Sequence, residues 1–291
     1  MPHARERFYY KAFGWHIASE IELPLLSSAA ASPSGPDIQI TIGPVEPLVI
    51  FRKLYRQHHI YEELRYIVAD GREIAIEPLA GSKPANVASL IVSRLLTIAA
   101  YQRGQLPLHA SAVRLGGRLV AICGYSGSGK STLAALLIER GGQLYEDDMV
   151  VVEGHGPFFA SGPSASGMKL SEASLHQIGR TADGLALANH VEGKYFAPVR
   201  PAELSRAEIG AIIQLGPGRP GIHPATPEEA LGRWQACIRQ PDLLSEAPDR
   251  ASLWRTWLDL AAQTEFLSIC HDGQMHVSAA AADQIAQRFS K

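Results

Sequence analysis

The segment that most constrains the fold reads GYSGSGKS at residues 124–131, and it fills every defined position of the pattern GxxxxGK[ST]. We call residues 124–131 the glycine loop. An apolar run at residues 119–123 leads into the loop, and a helix is predicted for residues 130–140. Glycines let the backbone wrap its N–H groups around an anion, and the following helix adds the positive end of its dipole. A strand, glycine loop and helix in this order predict an α/β core that binds phosphate.

The glycine loop supplies most of the candidate nucleotide contacts. We expect Lys130 to reach the β and γ phosphates of ATP, and Ser131 to ligate Mg²⁺. The other candidate ATP contacts are Gly124, Ser126, Gly127, Ser128, Gly129, Thr132 and, further along the chain, Lys194. The alternative is a glycine-rich turn that holds no ligand.

An acidic pair, Asp147 and Asp148, follows the loop and its helix and precedes an apolar run at residues 149–152. Neighbouring side chains of an extended segment point to opposite faces, so we expect one aspartate at the phosphate site and the other elsewhere. A carboxylate there can ligate Mg²⁺ or accept the proton of an attacking hydroxyl. We assign Asp148 to the metal beside Ser131 and leave open which aspartate is the base. The plain alternative is a solvated turn.

His109 precedes the strand that leads into the glycine loop. If residues 110–113 and 119–123 pair as a hairpin, His109 returns to the loop end of the sheet. An imidazole there can donate to a phosphate oxygen or tune an aspartate, although a lone histidine is more often structural. The candidate catalytic residues are therefore His109, Lys130, Asp147 and Asp148.

Composition narrows the class of protein. The chain has 291 residues, of which 46% are apolar and 19% charged, as in globular proteins. A net charge of −2 argues against nucleic acid or an anionic membrane as partner. Cys123, Cys237 and Cys270 form no CxxC pair, so neither a disulfide framework nor a zinc site is expected. Polar residues interrupt the apolar segment 85–101, which predicts a buried helix and not a membrane span. With no apolar signal segment at the start, we expect a cytoplasmic location.

The element pattern predicts two parts. Residues 1–83 are expected to form a small β-rich domain, which includes a hairpin turning at Asp70 and Gly71. Residues 84–291 are expected to form the catalytic domain. Among its later elements, strands are predicted at residues 195–199, 209–215 and 266–271. One helix is predicted to begin after Thr226. A second helix is predicted for residues 250–262, with Trp254, Trp257 and Leu258 on the face that packs against the core. The histidines without metal-ligand spacing are taken as structural: His58, His59, His271 and His276.

Residues 108–152 resemble the catalytic domain of bacterial HPr serine kinase/phosphorylase. His109, the strand at 119–123, the glycine loop, a helix ending in Arg140-Gly141 and an acidic pair follow one another in the same order. The family's ADD stands here as EDD at residues 146–148. The resemblance implies a mixed-sheet P-loop core with flanking helices, related to phosphoenolpyruvate carboxykinase. It also implies ATP-dependent phosphorylation of a protein serine, with one aspartate as base and the loop serine on Mg²⁺.

Two departures separate the chain from enzymes that act on HPr. The family carries a glutamate-containing segment after its acidic pair, whereas residues 158–175 here contain no glutamate before Glu172 and offer Lys169. The N-terminal third differs as well. The layout is more similar to HPr-kinase-like tailoring kinases of ribosomally made peptides, including lasso peptides, on the segments YKAFGWHIASEIELPLL, LHASAV and Gly193-Lys194-Tyr195. That resemblance implies a serine of a precursor peptide as the acceptor.

The sequence thus predicts an ATP- and Mg²⁺-dependent kinase that acts on a peptide or small protein, with no nucleic-acid or membrane partner and with a homo-oligomer left open. One alternative is a nucleotide-binding regulator that transfers no phosphate. The other is a small-molecule kinase of the same fold, which would need further basic residues in its pocket. Lys169, Lys194 and Arg200 are candidates for neutralising phosphate charge, with surface charge as the plain alternative.

Overall fold

The computed structural model describes residues 6–45, 64–154, 156–189, 192–203, 206–217, 221–271 and 279–289. His58, His59 and His276 lie outside the described residues, as does the side chain of His271. Their structural role stays a prediction.

Groups of strands are separated by helices along the described part of the chain. The described strands are β1 (Phe8–Ala12), β2 (Trp15–Ser19), β3 (Ile38–Ile42), β4 (Leu64–Ala69), β5 (Glu73–Pro78), β6 (Leu106–Leu108), β7 (Ala110–Leu115), β8 (Arg118–Gly124), β9 (Gln143–Glu146), β10 (Val150–Glu153), β11 (Phe159–Ser161), β12 (Gly167–Leu170), β13 (Leu187–Asn189), β14 (Lys194–Pro198), β15 (Arg206–Pro217), β16 (Gly221–Pro224) and β17 (Glu265–His271). The described helices are α1 (Pro84–Leu90), α2 (Leu96–Gln102), α3 (Lys130–Ile138), α4 (Glu172–Gln177), α5 (Pro227–Gly232), α6 (Trp234–Cys237), α7 (Arg250–Gln263) and α8 (Ala279–Phe289). A π-helical turn (Ile91–Leu95) joins α1 to α2, and a 3-10 helix (Pro241–Glu246) precedes α7.

The N-terminal part forms a five-stranded mixed sheet in the order β1-β2-β3-β5-β4. The predicted hairpin is confirmed: β4 and β5 are antiparallel, and Asp70 and Gly71 both have positive φ, as a tight turn between twisted strands requires. The turn between β1 and β2 is built in the same way from Phe13 and Gly14. Phe13 in that turn lines a small cavity together with Asp147 and Asp148.

The buried helix predicted for residues 85–101 is confirmed as α1, the π turn and α2. Among the described residues it is the one helix long and apolar enough to cross a membrane, yet 72% of its apolar window is buried in the protein. Such burial is what the core helix of a globular domain shows. A π turn widens the helix and is often found near functional sites.

A nine-stranded mixed sheet forms the centre of the chain. β8 is parallel to β15, and β15 is parallel to β17, whereas β7 and β8 form the predicted antiparallel hairpin. Along β8 the side chains alternate between two cores: Ala121 and Cys123 face one, and Val120 and Ile122 face the other. The mixed α/β class predicted from the sequence is therefore confirmed.

Helices cover both faces of the central sheet. α3 and α8 pack in the core that contains Val120, whereas the N-terminal sheet, α1, α2 and α7 share the core that contains Cys123. The N-terminal sheet thus shares one core with the rest of the chain, and the division at residue 83 stays a prediction. A three-stranded sheet, in the order β12-β14-β13, packs beside α3, the helix that follows the glycine loop.

The predicted core face of α7 is correct for Trp257, which is fully buried, and for Trp254, which packs against the core. It is wrong for Leu258, whose side chain is 47% exposed. The buried stripe follows Leu253, Trp257 and Leu260, and Leu258 lies about 100° around the helix from Trp257.

Candidate functional site

The glycine loop connects β8 directly to α3, and its conformation depends on its glycines. Gly124, Gly127 and Gly129 all have positive φ, and Gly129 is the N-cap of α3. A Cβ on Gly124 would lie 2.6 Å from Ser128 Oγ and 2.9 Å from the carbonyl oxygen of Leu215 on the parallel neighbour β15. The close approach of two backbones therefore requires a glycine at this position.

The side chain of Lys130 lies across the loop, where its Nζ donates to the carbonyl oxygens of Gly124 at 2.8 Å and Tyr125 at 3.1 Å. Burial lowers the pKa of this ammonium to about 8, against the opposing effect of Asp148. Ser128 Oγ is buried and has no hydrogen-bond partner within the described part of the chain. A cradle that a Cβ would fill, a buried ammonium and a helix N-terminus together fit a bound phosphate.

Asp147 is held against the glycine loop. Its Oδ1 accepts from the hydroxyl of Ser131 at 3.0 Å and from that of Ser111 on β7 at 2.8 Å. Its Oδ2 accepts from the backbone N–H of Lys169 at 3.0 Å. The structure thus pairs the loop serine with Asp147, whereas the sequence pattern paired it with Asp148 as metal ligand.

Asp148 is surrounded by cationic side chains. The guanidinium of Arg239 reaches its two carboxylate oxygens at 2.5 and 3.1 Å, and Lys169 Nζ lies 2.8 Å from Oδ2. His109 Nε2 lies 3.5 Å from Oδ1. Burial alone would raise the pKa of Asp148, but Arg239 and Lys169 hold it well below its usual range. Asp148 is therefore a carboxylate at neutral pH.

His109 is placed as the sequence predicted, at the loop end of the β7–β8 hairpin. Its backbone N–H donates to the carbonyl of Cys237 at 2.7 Å. Burial lowers the pKa of its imidazole to about 4, although Asp148 acts in the opposite direction. At neutral pH the ring is uncharged, so it can donate one hydrogen bond to Asp148 without adding charge.

The expectation that the acidic pair lies in an extended segment is wrong. Asp148 has a φ of +80° in the turn between β9 and β10, a left-handed conformation that aspartate tolerates better than most residues. The two carboxylates still meet different groups, because the turn directs Asp147 to the glycine loop and Asp148 to Arg239.

These groups surround a cavity of about 440 Å³. The predicted residues on its walls are His109, Ser126, Gly127, Gly129, Lys130, Ser131, Thr132, Asp148 and Lys194. Gly124, Ser128 and Asp147 are not on its walls, but Gly124 accepts a hydrogen bond from Lys130 and Asp147 accepts one from Ser131. The structure thus brings His109 and residues of the glycine loop, α3, the acidic turn and β14 to one place.

The three candidate cations of the sequence have different surroundings. The side chain of Lys169 is only 11% exposed and pairs with Asp148, so surface charge is wrong for it. Lys194 is on the cavity wall and pairs with Glu192 at 2.8 Å. Arg200 is 86% exposed and pairs with Glu203 away from the cavity, which agrees with a surface charge.

Sequence reasoning missed Arg239, which lies between α6 and the 3-10 helix, far along the chain from the glycine loop. Two groups of the α1–α2 helix hold it. The phenol of Tyr101 donates to the carbonyl oxygen of Arg239 at 2.5 Å, and the carbonyl oxygen of Ser93, in the π turn, accepts from the guanidinium at 3.3 and 3.4 Å. No local spacing pattern marks this residue, because its partners are distant in sequence.

The described residues contain no group of three or more His, Cys, Asp or Glu side chains that could by itself hold a metal ion. Mg²⁺ usually takes one or two protein oxygens and completes its shell with water and phosphate. The Ser131 hydroxyl and the Asp147 carboxylate, 3.0 Å apart, fit that requirement.

No protein-family model and no curated protein matches the chain. Among solved structures, the chain is similar to the Hpr(Ser) kinase/phosphatase from Coxiella burnetii, with 24% identity over 41% of this chain and 76% of that chain. The TM-score is 0.27, which describes a partial overlap, so the proposals below rest on the residues of this chain.

Proposed function

We propose that the protein is an ATP- and Mg²⁺-dependent kinase that transfers the γ-phosphate to a serine hydroxyl of a peptide. The observation that supports this most is the shared cavity, because Lys130 of the glycine loop and the carboxylate of Asp148 both line it. Phosphoryl transfer depends mainly on positioning and on neutralising charge, and these side chains supply both.

Each side chain has a role in this proposal. The loop N–H groups and Lys130 bind phosphate oxygens, and Lys194 adds a further cation on the cavity wall. Ser131 and Asp147 would hold Mg²⁺, which neutralises phosphate charge when bound. Arg239 and Lys169 balance the charge of Asp148 before substrates bind.

Asp148 is the proposed base, because it is the aspartate on the cavity wall. The hydroxyl oxygen of the acceptor forms a bond to the γ-phosphorus, the bond from that phosphorus to the bridging oxygen of ADP breaks, and the hydroxyl proton passes to Asp148. A low pKa suits a loose transition state, in which the proton leaves late and the carboxylate mainly orients the hydroxyl. The neutral His109 would keep Asp148 aligned.

For the acceptor we propose a ribosomally made precursor peptide, such as a lasso precursor. The support is the resemblance of the N-terminal segment, LHASAV and Gly193-Lys194-Tyr195 to the tailoring kinases. The test is incubation with ATP, Mg²⁺ and the precursor peptide encoded beside the gene, followed by mass spectrometry. We expect one adduct of about 80 Da, which should vanish with Asp148→Asn and with a peptide whose acceptor serine is alanine. No adduct with the wild-type pair would contradict the peptide-kinase proposal.

A second candidate function is nucleotide binding without transfer. It is favoured by the contacts of Asp148, which is already paired with two cations and is therefore a weak proton acceptor. Such a protein would bind ATP with no turnover, and its affinity for ATP would be unchanged in Asp148→Asn.

Three cations, Lys169, Lys194 and Arg239, line the same cavity, which also suits a small anionic acceptor. A panel of hydroxy acids is therefore tested beside the peptide in the same assay.

A further inference from the structure

A buried chain of hydrogen bonds links the N-terminal sheet to the acidic turn. Glu146 directly precedes Asp147 and is 1% exposed. Its Oε1 accepts from the hydroxyl of Ser164 at 2.6 Å and from the backbone N–H of Ser164 at 2.9 Å. Ser164 Oγ in turn accepts from the backbone N–H of Phe13 at 2.7 Å, in the turn between β1 and β2. Phe13 and Ser164 are also buried, so water does not replace any of these bonds.

The segment that carries Ser164 is fastened to the N-terminal part at further points. The N–H of Ser27 donates to the carbonyl oxygen of Ser164 at 2.8 Å. The backbone N–H of Ser166 donates to the carbonyl oxygen of Leu25 at 3.2 Å, and its hydroxyl donates to the carbonyl oxygen of Pro24 at 2.6 Å. The segment is therefore bonded to the β1–β2 turn and to residues 24–27, which lie between β2 and β3 of the N-terminal sheet.

The same segment also holds the other side of the acidic turn. It continues into β12, where Lys169 bonds Asp147 through its backbone and Asp148 through its side chain. Gly162 leaves room for Glu146, since a Cβ on Gly162 would overlap its Oε1. The turn of residues 146–148 is thus fixed from one segment at two points, by Ser164 before the aspartates and by Lys169 beside them.

We infer that Glu146 and Ser164 are positioning residues that set the place of Asp147 and Asp148, and that Phe13 transmits the position of the N-terminal sheet to them. The HPr-kinase resemblance does not account for this link, because the family has alanine where this chain has Glu146. The kinetic consequences rest on the proposed kinase function, whereas the structural consequences do not.

The decisive comparison is Ser164→Ala against Ser166→Ala. Both variants remove one hydroxyl that contacts the N-terminal part, but Ser164 alone contacts Glu146. Amide hydrogen exchange over residues 147–149, in protein without nucleotide, is expected to become several-fold faster in Ser164→Ala, because local opening is less costly. Ser166→Ala is expected to match the wild type there.

With peptide and ATP, Ser164→Ala is expected to lower kcat by about tenfold or more, because a small displacement of a reacting group is costly. The factor by which kcat falls should exceed the factor by which KM for ATP rises, because Ser164 itself makes no contact with the glycine loop and acts on it only through Asp147. Glu146→Gln retains the oxygen that accepts both bonds from Ser164 and should keep most of kcat, whereas Glu146→Ala should behave like Ser164→Ala.

Equal exchange at residues 147–149 in Ser164→Ala and Ser166→Ala would overturn the inference. So would equal kcat values for Glu146→Gln and Glu146→Ala in an active enzyme. If wild-type protein transfers no phosphate but Ser164→Ala still accelerates exchange, the kinase proposal fails and the positioning link stands. If Ser164→Ala does not fold, Ser164→Cys keeps the size of the side chain with a weaker hydrogen bond. That variant must then show the same direction of change.

Discussion

The contact between Arg239 and Asp148 predicts a large coupling free energy. Two nitrogens of the guanidinium reach the two carboxylate oxygens at 2.5 and 3.1 Å, and the two side chains are 11% and 21% exposed, so water screens the pair little. Removing one partner of a buried ion pair costs about 3 to 5 kcal/mol of unfolding free energy. Lys169 remains beside Asp148, so we expect Arg239→Met to cost about 3 kcal/mol, the low end of that range.

A double-mutant cycle with Arg239→Met, Asp148→Asn and both changes measures the interaction itself. We expect the double variant to be more stable than the sum of the single effects by about 2 to 3 kcal/mol, as in coupled buried networks. The measurement is urea unfolding at pH 7 without nucleotide, monitored by circular dichroism.

Arg200 and Glu203 provide the matched control. Their atoms approach to 2.7 Å, much as in the buried pair, but the side chains are 86% and 79% exposed. The same cycle at Arg200 and Glu203 should give a coupling near zero that weakens further in salt. If the Arg239–Asp148 cycle also gave less than about 0.5 kcal/mol, the desolvated cluster described at the site would be refuted.

Three further predictions concern the histidine, the glycine loop and a helix cap. Burial lowers the pKa of His109 to about 4 in the folded chain, so the unfolded state takes up the proton first as the pH falls. The free energy of unfolding should therefore fall by about 2 kcal/mol between pH 7.5 and pH 5. His109→Gln should flatten this slope in urea titrations, and parallel slopes for the two proteins would contradict the assignment. Gly124→Ala, which places a Cβ 2.6 Å from Ser128 Oγ, should weaken ATP binding in calorimetry by more than about tenfold. Gly117→Ala, with open space around its Cβ, should leave ATP binding intact, so equal losses would refute the steric argument. Thr226→Ala removes the capping box that Thr226 forms with Glu229 at the start of α5, and it should lower the free energy of unfolding by about 1 kcal/mol in thermal denaturation. No change would show that α5 is held by packing alone.

Features that the sequence predicted correctly depend on neighbours along the chain. The turn at Asp70 and Gly71 and the helix that begins after Thr226 each need a few adjacent residues. The glycine loop is of the same kind, because its strand, turn and helix are contiguous. His109 was placed correctly because one hairpin connects it to the loop.

Features that sequence reasoning missed depend on contacts between distant segments. Arg239 meets Asp148 across 91 residues, and Ser164 meets Phe13 across 151. The left-handed backbone of Asp148 follows from such contacts, because Arg239 and Lys169 stabilise a turn that the local sequence does not specify. Leu258 was placed wrongly because helical spacing gives the apolar side of α7 but not where the neighbouring core ends.

The parallel arrangement of β8, β15 and β17 affects how the protein is made. β8 carries the glycine loop, yet its partner β15 ends at residue 217, and β17, on the other side of β15, ends at residue 271. At about 5 to 20 residues per second, a ribosome takes roughly 7 to 30 s to synthesise the chain from the glycine loop to the end of β17. Until residue 217 has been made, β8 lacks its parallel neighbour β15, and the glycine loop lacks the backbone of Leu215 that lies against Gly124. The N-terminal sheet, whose strands all precede residue 79, can pair early and be in place before the acidic turn arrives.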